Sequence, residues 1–267
     1  MFSHIKELQF EARPDGPDAV FARRLQEVLG GKWGAMTVAH QYLFQGWSCR
    51  LPGKYRDLLL DLGTEELAHV EMICTMIARL LQDAPVSVRD MTTDDEVTAA
   101  TLGGLNPAHL INAGGGPLPM DSNGTPWSGS YVTSSGHLLA DFSLNVTAEA
   151  QSRLQTARLF QMTDDPGVKQ MLRFLLARHT KHQRVWLAAI EQLEQDGLEA
   201  MPVPEAFPDD VRDRELAEAY LTFSAGSQAT RGTWGTDGLA PQAVGEAPLL
   251  PPGDPRLYTT APSSPIE

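Results

Sequence analysis

The chain has 267 residues, 42% hydrophobic and 21% charged, and its 34 acidic against 21 basic side chains leave a formal net charge of −13. A pI near 4.9 offers no basic footprint for nucleic acid or an anionic membrane. No apolar run approaches the roughly 20 residues needed to cross a bilayer. Residues 1–14 mix charges without the apolar segment of a secretory leader. The expectation is a soluble, cytoplasmic protein large enough to bury one core. Cys49 and Cys74 both fall inside helical patterns and read as reduced, buried thiols.

Taken in chain order, four stretches read as long helices: about 18–49, 54–82, 134–162 and 165–195. The first and second are joined at Leu51-Pro52-Gly53, the third and fourth at Thr163-Asp164-Asp165-Pro166-Gly167. Short joints make antiparallel neighbours. Asp164 or Asp165 can cap the fourth helix with Pro166 at its first position, where a missing N–H costs nothing. Between the two pairs, at about 83–133, lies a crossing rich in breakers such as Gly103-Gly104 and Gly114-Gly115-Gly116-Pro117. Ten of the 19 prolines follow residue 200, so the last quarter is not regular helix. The predicted fold is all-α: a ferritin-like four-helix bundle with a long crossover and an extended irregular C-terminal tail. Residues 1–199 form the bundle, and 200–267 a tail of the same domain that wraps over it or over a neighbouring subunit.

Polar residues interrupt the core-facing rows. The second helix reads Leu62, Glu66, His69, Ile73, Met76, Leu80 at steps of four and three. The fourth reads Val168, Leu172, Leu175, His179, His182, Trp186, Ala189, and on the third Phe142, Asn145 and Glu149 share a face. Glu65, beside Glu66, reads as a solvated surface acid. Burying an unpaired carboxylate costs several kcal/mol, so two acids and three histidines at one level of a bundle call for a compensating divalent metal. The bland alternative is a metal-free polar network, since a lone inward His is more often a hydrogen-bonded core residue than a ligand.

Several motifs carry a resemblance. Gly30-Gly31-Lys32-Trp33-Gly34, Tyr42-Leu43-Phe44-Gln45-Gly46-Trp47 and Gly63-Thr64-Glu65-Glu66-Leu67-Ala68-His69-Val70-Glu71-Met72 are three of them. Gly129-Ser130-Tyr131-Val132-Thr133-Ser134-Ser135-Gly136, Met162-Thr163-Asp164-Asp165-Pro166-Gly167-Val168 and Pro252-Gly253-Asp254-Pro255-Arg256-Leu257 complete the set. By these the chain resembles the manganese catalases, ferritin-like bundles whose dinuclear manganese site decomposes hydrogen peroxide. The resemblance implies that Glu66 bridges, that His69 binds the first metal, and that Glu149 and His182 bind the second. It makes Tyr42 an outer-sphere tyrosine near the cluster. It also implies a homohexamer and, from Asp57, Asp61, Thr222, Ser224 and Gly226, a structural calcium site that the neutral Thr222 weakens.

The chain departs from the family pattern in three places. Ala35 stands where the first-helix ligand Glu belongs, His179 replaces a Glu one turn before the fourth-helix ligand, and Ala148 replaces an Arg. Ala35 cannot ligate, so the first metal keeps only Glu66 and His69. His179 can coordinate, giving a two-His, carboxylate-rich set that suits iron as well as manganese, dinuclear or mononuclear. His40 faces away from Ala35 by helical phase. Small residues at Ala35, Ala39 and Ala148 suggest a widened substrate pocket. The favoured expectation is a metal oxidoreductase that uses oxygen or peroxide on a small organic molecule, with His179 and Tyr42 as catalytic residues. A manganese catalase with a weakened site and a metal-poor non-enzymatic member are the alternatives.

Overall fold

A computed structural model describes residues 4–83, 106–198, 220–222 and 241–243. It contains six α-helices among the described residues: α1 (Ala19–Gly30), α2 (Ala35–Ser48), α3 (Gly53–Leu81), the short α4 (Pro107–Ile111), α5 (Leu138–Gln161) and α6 (Pro166–Gln195). The chain divides into two compact units, Met1–Ala206 and Phe207–Glu267. In the second, β1 (Tyr220–Thr222) pairs in parallel with β2 (Pro241–Ala243). The wrapping expected of the tail falls outside the described residues.

The first helical stretch is not continuous. It breaks at residues 31–34, where the Gly31 N–H closes α1 onto Glu27 O (3.1 Å) and Gly34 caps α2, its carbonyl accepting from Thr37 N and Val38 N. Close approach demands these glycines. A Cβ on Gly30 would lie 2.5 Å from Met120 O, and one on Gly34 would lie 2.6 Å from Leu29 O. The crossover is tied to the same corner, because Gln26 clasps Leu118 through its N–H and C=O and also donates to Met120 O. From the other side, Ser152 Oγ on α5 donates to Trp33 O (2.7 Å). The break therefore fixes where α2 begins, and with it the position of Ala35.

The third helix also starts later than its pattern suggests. His137 caps α5, and residues 134–137 turn instead, with Ser135 Oγ donating to Asp141 Oδ1 (2.7 Å). The joint before α6 is as expected, with Asp165 accepting from Val168 N (2.8 Å) and Pro166 in the first turn.

α2 packs along α3 and α5 along α6, with α1 against α3, which makes two helical hairpins side by side. The apolar core falls into two clusters. One gathers Phe21, Leu25, Met72, Ile73, Met76, Leu80, Leu159, Val168 and Leu175; the other gathers Val38, Tyr42, Leu59, Leu62, Leu138, Phe142, Trp186 and Leu193. Along α3, α5 and α6 the residues between these clusters are the polar ones.

Gly30→Ala forces a methyl group into the Met120 carbonyl, and overpacking of this kind costs about 1–3 kcal/mol. Thermal unfolding of the variant should show a Tm several degrees lower. An unchanged Tm would mean that the crossover gives way without cost.

Candidate metal centre

Glu66 and His69 on α3, Glu149 on α5, and His179 and His182 on α6 meet between the two apolar clusters. All are buried, and even His179 exposes only 5% of its surface. Glu66 lies at the middle. Its Oε1 is 3.0 Å from His182 Nδ1 and 4.0 Å from His179 Nδ1, while its Oε2 is 3.1 Å from His69 Nδ1. Glu149 completes one side: His179 Nδ1 donates to its Oε2 (2.9 Å), and its Oε1 is 3.3 Å from His182 Nδ1. One carboxylate thus faces a single imidazole with one oxygen, and two imidazoles and a second carboxylate with the other.

Hydrogen bonding leaves part of this cluster unsatisfied. Glu66 Oε2 and His69 Nδ1 are 3.1 Å apart but not aligned for a hydrogen bond, and both are buried without another partner. Adjacent donors on one ion, with bonds of about 2.1 Å, also stand about 3 Å apart. Glu66, Glu149 and His179 moreover offer donor atoms that all lie within 4.8 Å of one another. Unpaired buried carboxylate and imidazole atoms at such spacings fit a divalent cation, because leaving them bare costs the full desolvation of each.

The electrostatics agree. Burial by itself raises the Glu66 pKa, but the His69 charge and the His182 hydrogen bond outweigh it and hold the carboxyl well below its usual range. Burial lowers the His182 pKa, yet Glu149, Glu65 and Glu66 together push it up to about 11. His179 is shifted upward as well, burial being overcome by the hydrogen bond and charge of Glu149. Without a cation, protons on these rings balance the buried carboxylates, and a bound divalent ion takes over that balance by releasing them.

Tyr42 on α2 supports the cluster from outside. Its hydroxyl donates to Glu149 Oε1 (2.7 Å) and accepts from Trp186 Nε1 (3.0 Å). Burial first, then the charges of Glu149 and Glu66, raise its pKa well above that of an ordinary phenol, so it remains a donor.

Glu65 is no surface acid. It is largely buried and takes two bonds from Arg178, Nε to Oε1 (2.5 Å) and Nη2 to Oε2 (3.0 Å), with a third from Gln9 Nε2 (2.9 Å). Its Oε2 is 3.0 Å from His182 Nε2 and its Oε1 is 3.8 Å from His69 Nε2. Burial works against its charge, but His182 and Arg178 prevail and lower its pKa strongly. Two polar partners lie further out: Asn145 accepts from Gln41 and exchanges bonds with Gln45.

Of the three small residues expected to line a widened pocket, Ala39 and Ala148 are packed into the interior, and Ala35 borders a cavity. That cavity is about 10 Å³, bounded by His69 and His179 together with Trp33, Ile73 and Thr156, and it holds about one water. His40 does not turn toward it; its Nδ1 bonds Met36 O (2.6 Å). Asp57 and Asp61 are exposed, and no third donor joins them among the described residues. Thr222 lies in β1, while Ser224 and Gly226 fall outside the described residues, so nothing supports the expected calcium site.

Antiparallel helical hairpins enclosing a carboxylate–histidine centre define a ferritin-like metalloprotein. The chain belongs to the family of manganese-containing catalases, whose model matches residues 1–255. A manganese catalase of Bacillus subtilis is 50% identical over 98% of this chain and 99% of its own length, and one from Lactiplantibacillus plantarum is 45% identical over 97% and 98%. The crystal structure of KatB, a manganese catalase from Anabaena, superposes with a TM-score of 0.70 at 28% identity, covering 92% of this chain and all of that one. The chain is accordingly a metal-dependent oxidoreductase.

Tyr42→Phe should leave the buried Trp186 N–H without an acceptor, at about 1–3 kcal/mol. Calorimetry should record a Tm lower by several degrees, with much of the loss recovered when Trp186→Phe is added. Equal stability of wild type and Tyr42→Phe would show that the hydroxyl holds nothing.

Proposed function

We propose that the chain binds manganese on both sides of Glu66 and acts on hydrogen peroxide. The observation that carries this reading is the two-faced environment of Glu66, with His69 against one oxygen and Glu149, His179 and His182 around the other. One ion would be held by Glu66 Oε2 and His69, the other by Glu66 Oε1, Glu149 and His182. When bound, the pair supplies the two-electron redox capacity that 2 H2O2 → 2 H2O + O2 requires.

The protein's own part is exclusion, placement and proton handling. The cavity beside Ala35 suits a peroxide-sized molecule far better than an organic substrate. Ala35 brings no donor, so an ion held on the His69 side would have positions left for solvent or substrate. The apolar neighbours Val28, Ile73 and Leu175 keep bulk water away. His179 is the titratable group on the cavity wall that can take a proton from peroxide at its ring and share it with Glu149 Oε2. Tyr42 positions Glu149 and does not border the cavity. A second role for His179, as a ligand, is favoured by the proximity of its Nδ1 to Glu66 and Glu149. Iron would suit the same donors less distinctively, and the homohexamer common in the family remains a proposal for size measurement by light scattering.

Metal analysis and oxygen release on one sample test the reading. Two manganese ions per chain with rapid oxygen evolution are expected, together with loss of both on chelation and in His182→Ala. Bound iron, or manganese without peroxide turnover, would overturn it. His179→Gln should keep the metal and lose most of the rate if His179 carries protons, and should lose metal if it is a ligand.

A further inference from the structure

The histidines of the centre have two edges, and the function proposed above uses only one. His69 and His182 both turn Nδ1 toward Glu66, and their opposite nitrogens converge on Glu65. The two rings are stacked nearly parallel, 20° between planes with centroids 5.8 Å apart. Both Nε2 atoms are buried without an aligned hydrogen bond. The Glu65 Oε2 to His182 Nε2 separation of 3.0 Å nevertheless has the length of one.

Glu65 itself is not free to move. The Arg178 guanidinium holds both carboxylate oxygens in a fork, and Gln9, from the segment ahead of α1, fixes Oε1. Arg178 and Glu65 come from α6 and α3, the helices that carry the two histidines. A neutral imidazole has one N–H, and whichever nitrogen donates leaves the other with a lone pair. Without an ion the His182 Nδ1 is itself bonded to Glu66 Oε1 (3.0 Å). A carboxylate on the Nε2 side holds a proton there, so that Nδ1, the nitrogen facing Glu66, is the one an ion would deprotonate.

We propose that Glu65 is the positioning carboxylate of the centre: it takes the Nε2–H of His182, holds the ring with Nδ1 toward Glu66, and Arg178 and Gln9 keep it in place. His69, at 3.8 Å, is served more weakly by the other oxygen. The role belongs to the ring's orientation and donor nitrogen, and Glu65 touches neither metal nor substrate.

The inference rests on the metal-binding part of the function proposed above, so its test has one arm that needs no metal. In the metal-free full-length protein with ¹⁵N-labelled histidine, a hydrogen-bonded Nε2–H proton of His182, distinguished from the Nδ1–H that bonds Glu66 Oε1, should appear downfield and exchange slowly. Glu65→Ala should abolish it. In parallel, competition titrations with manganese and with diamagnetic zinc should show affinity about 10–100-fold weaker in Glu65→Ala. Glu65→Gln keeps an acceptor and should lie between the two, which guards against a variant that merely folds badly. Circular dichroism of each variant reports the helical bundle independently. Persistence of the hydrogen-bonded His182 Nε2–H in Glu65→Ala, or its absence in wild type, would overturn the proposal, as would unchanged metal affinity. If wild type bound no metal at all, the function above would fall while the proton would still decide the role of Glu65.

Discussion

Everything in the first unit is arranged around a carboxylate that has no access to water. Glu66 is fully buried, and an isolated buried charge costs several kcal/mol even after relaxation. The chain meets that cost by concentrating rather than dispersing its polar groups. Glu66, Glu149 and Glu65 are placed within reach of three imidazoles and one guanidinium, and the apolar residues withdraw to either side as two clusters. In a metal-free chain the Arg178 guanidinium meets Glu65, and the upward-shifted His179 and His182 favour the charged form beside Glu66 and Glu149. A divalent ion does the same at fixed positions, and the unpaired atoms on Glu66 and His69 mark where such an ion finds donors without displacing any hydrogen bond.

Helix geometry accounts for the gathering of these groups, and loops account for its precision. α3 and α6 each carry a pair of polar residues one turn apart on the core-facing row, so antiparallel packing brings the pairs to one level. Where α2 starts is a matter of backbone contact instead. The Gly30–Gly34 corner is clamped by Gln26 of α1, which grips the crossover at Leu118 and Met120, and by Ser152 on α5, and moving it by a residue would turn Ala35 away from His69. Tyr42, two turns further along α2, depends on the same corner to reach Glu149.

The core rows were legible from apolar spacing alone because a carboxylate or imidazole bracketed by leucine and isoleucine has only one place to point. Glu66, His69, Glu149, His179 and His182 were found in this way, and the topology followed from joint lengths. Glu65 was not, since its helical phase sets it off the core row, and it is Arg178, itself off-row on α6, together with Gln9 that holds it against the histidines. A pair of complementary charges on facing flanks of two helices was the available signal, and it needs the helix pairing to be known first. The break in the first helical stretch was hidden for a related reason. Gly30-Gly31 was visible, but the close approach of Met120 that requires a glycine comes from a segment 90 residues away.

Small side chains do not by themselves make room, and Ala35 shows why. A truncated residue in a core opens a void only if its neighbours cannot close over it, since lining atoms around an empty space forfeit their dispersion contacts. Here Trp33, Ile73 and Thr156 close the cavity that Ala35 borders, Ala148 belongs to the cluster around Trp186, and the remaining space is about 10 Å³. The loss of a side chain at this corner is therefore expressed as a missing donor and not as a larger chamber. That distinction bears on chemistry. On a bound ion a missing donor would leave a position for a ligand of one or two heavy atoms, whereas an organic substrate would need more volume than the cavity beside Ala35 offers. The same packing puts His69 and His179 on the wall of the cavity, their ring centroids 5.8 Å apart, so a small ligand bound there would lie beside a titratable ring.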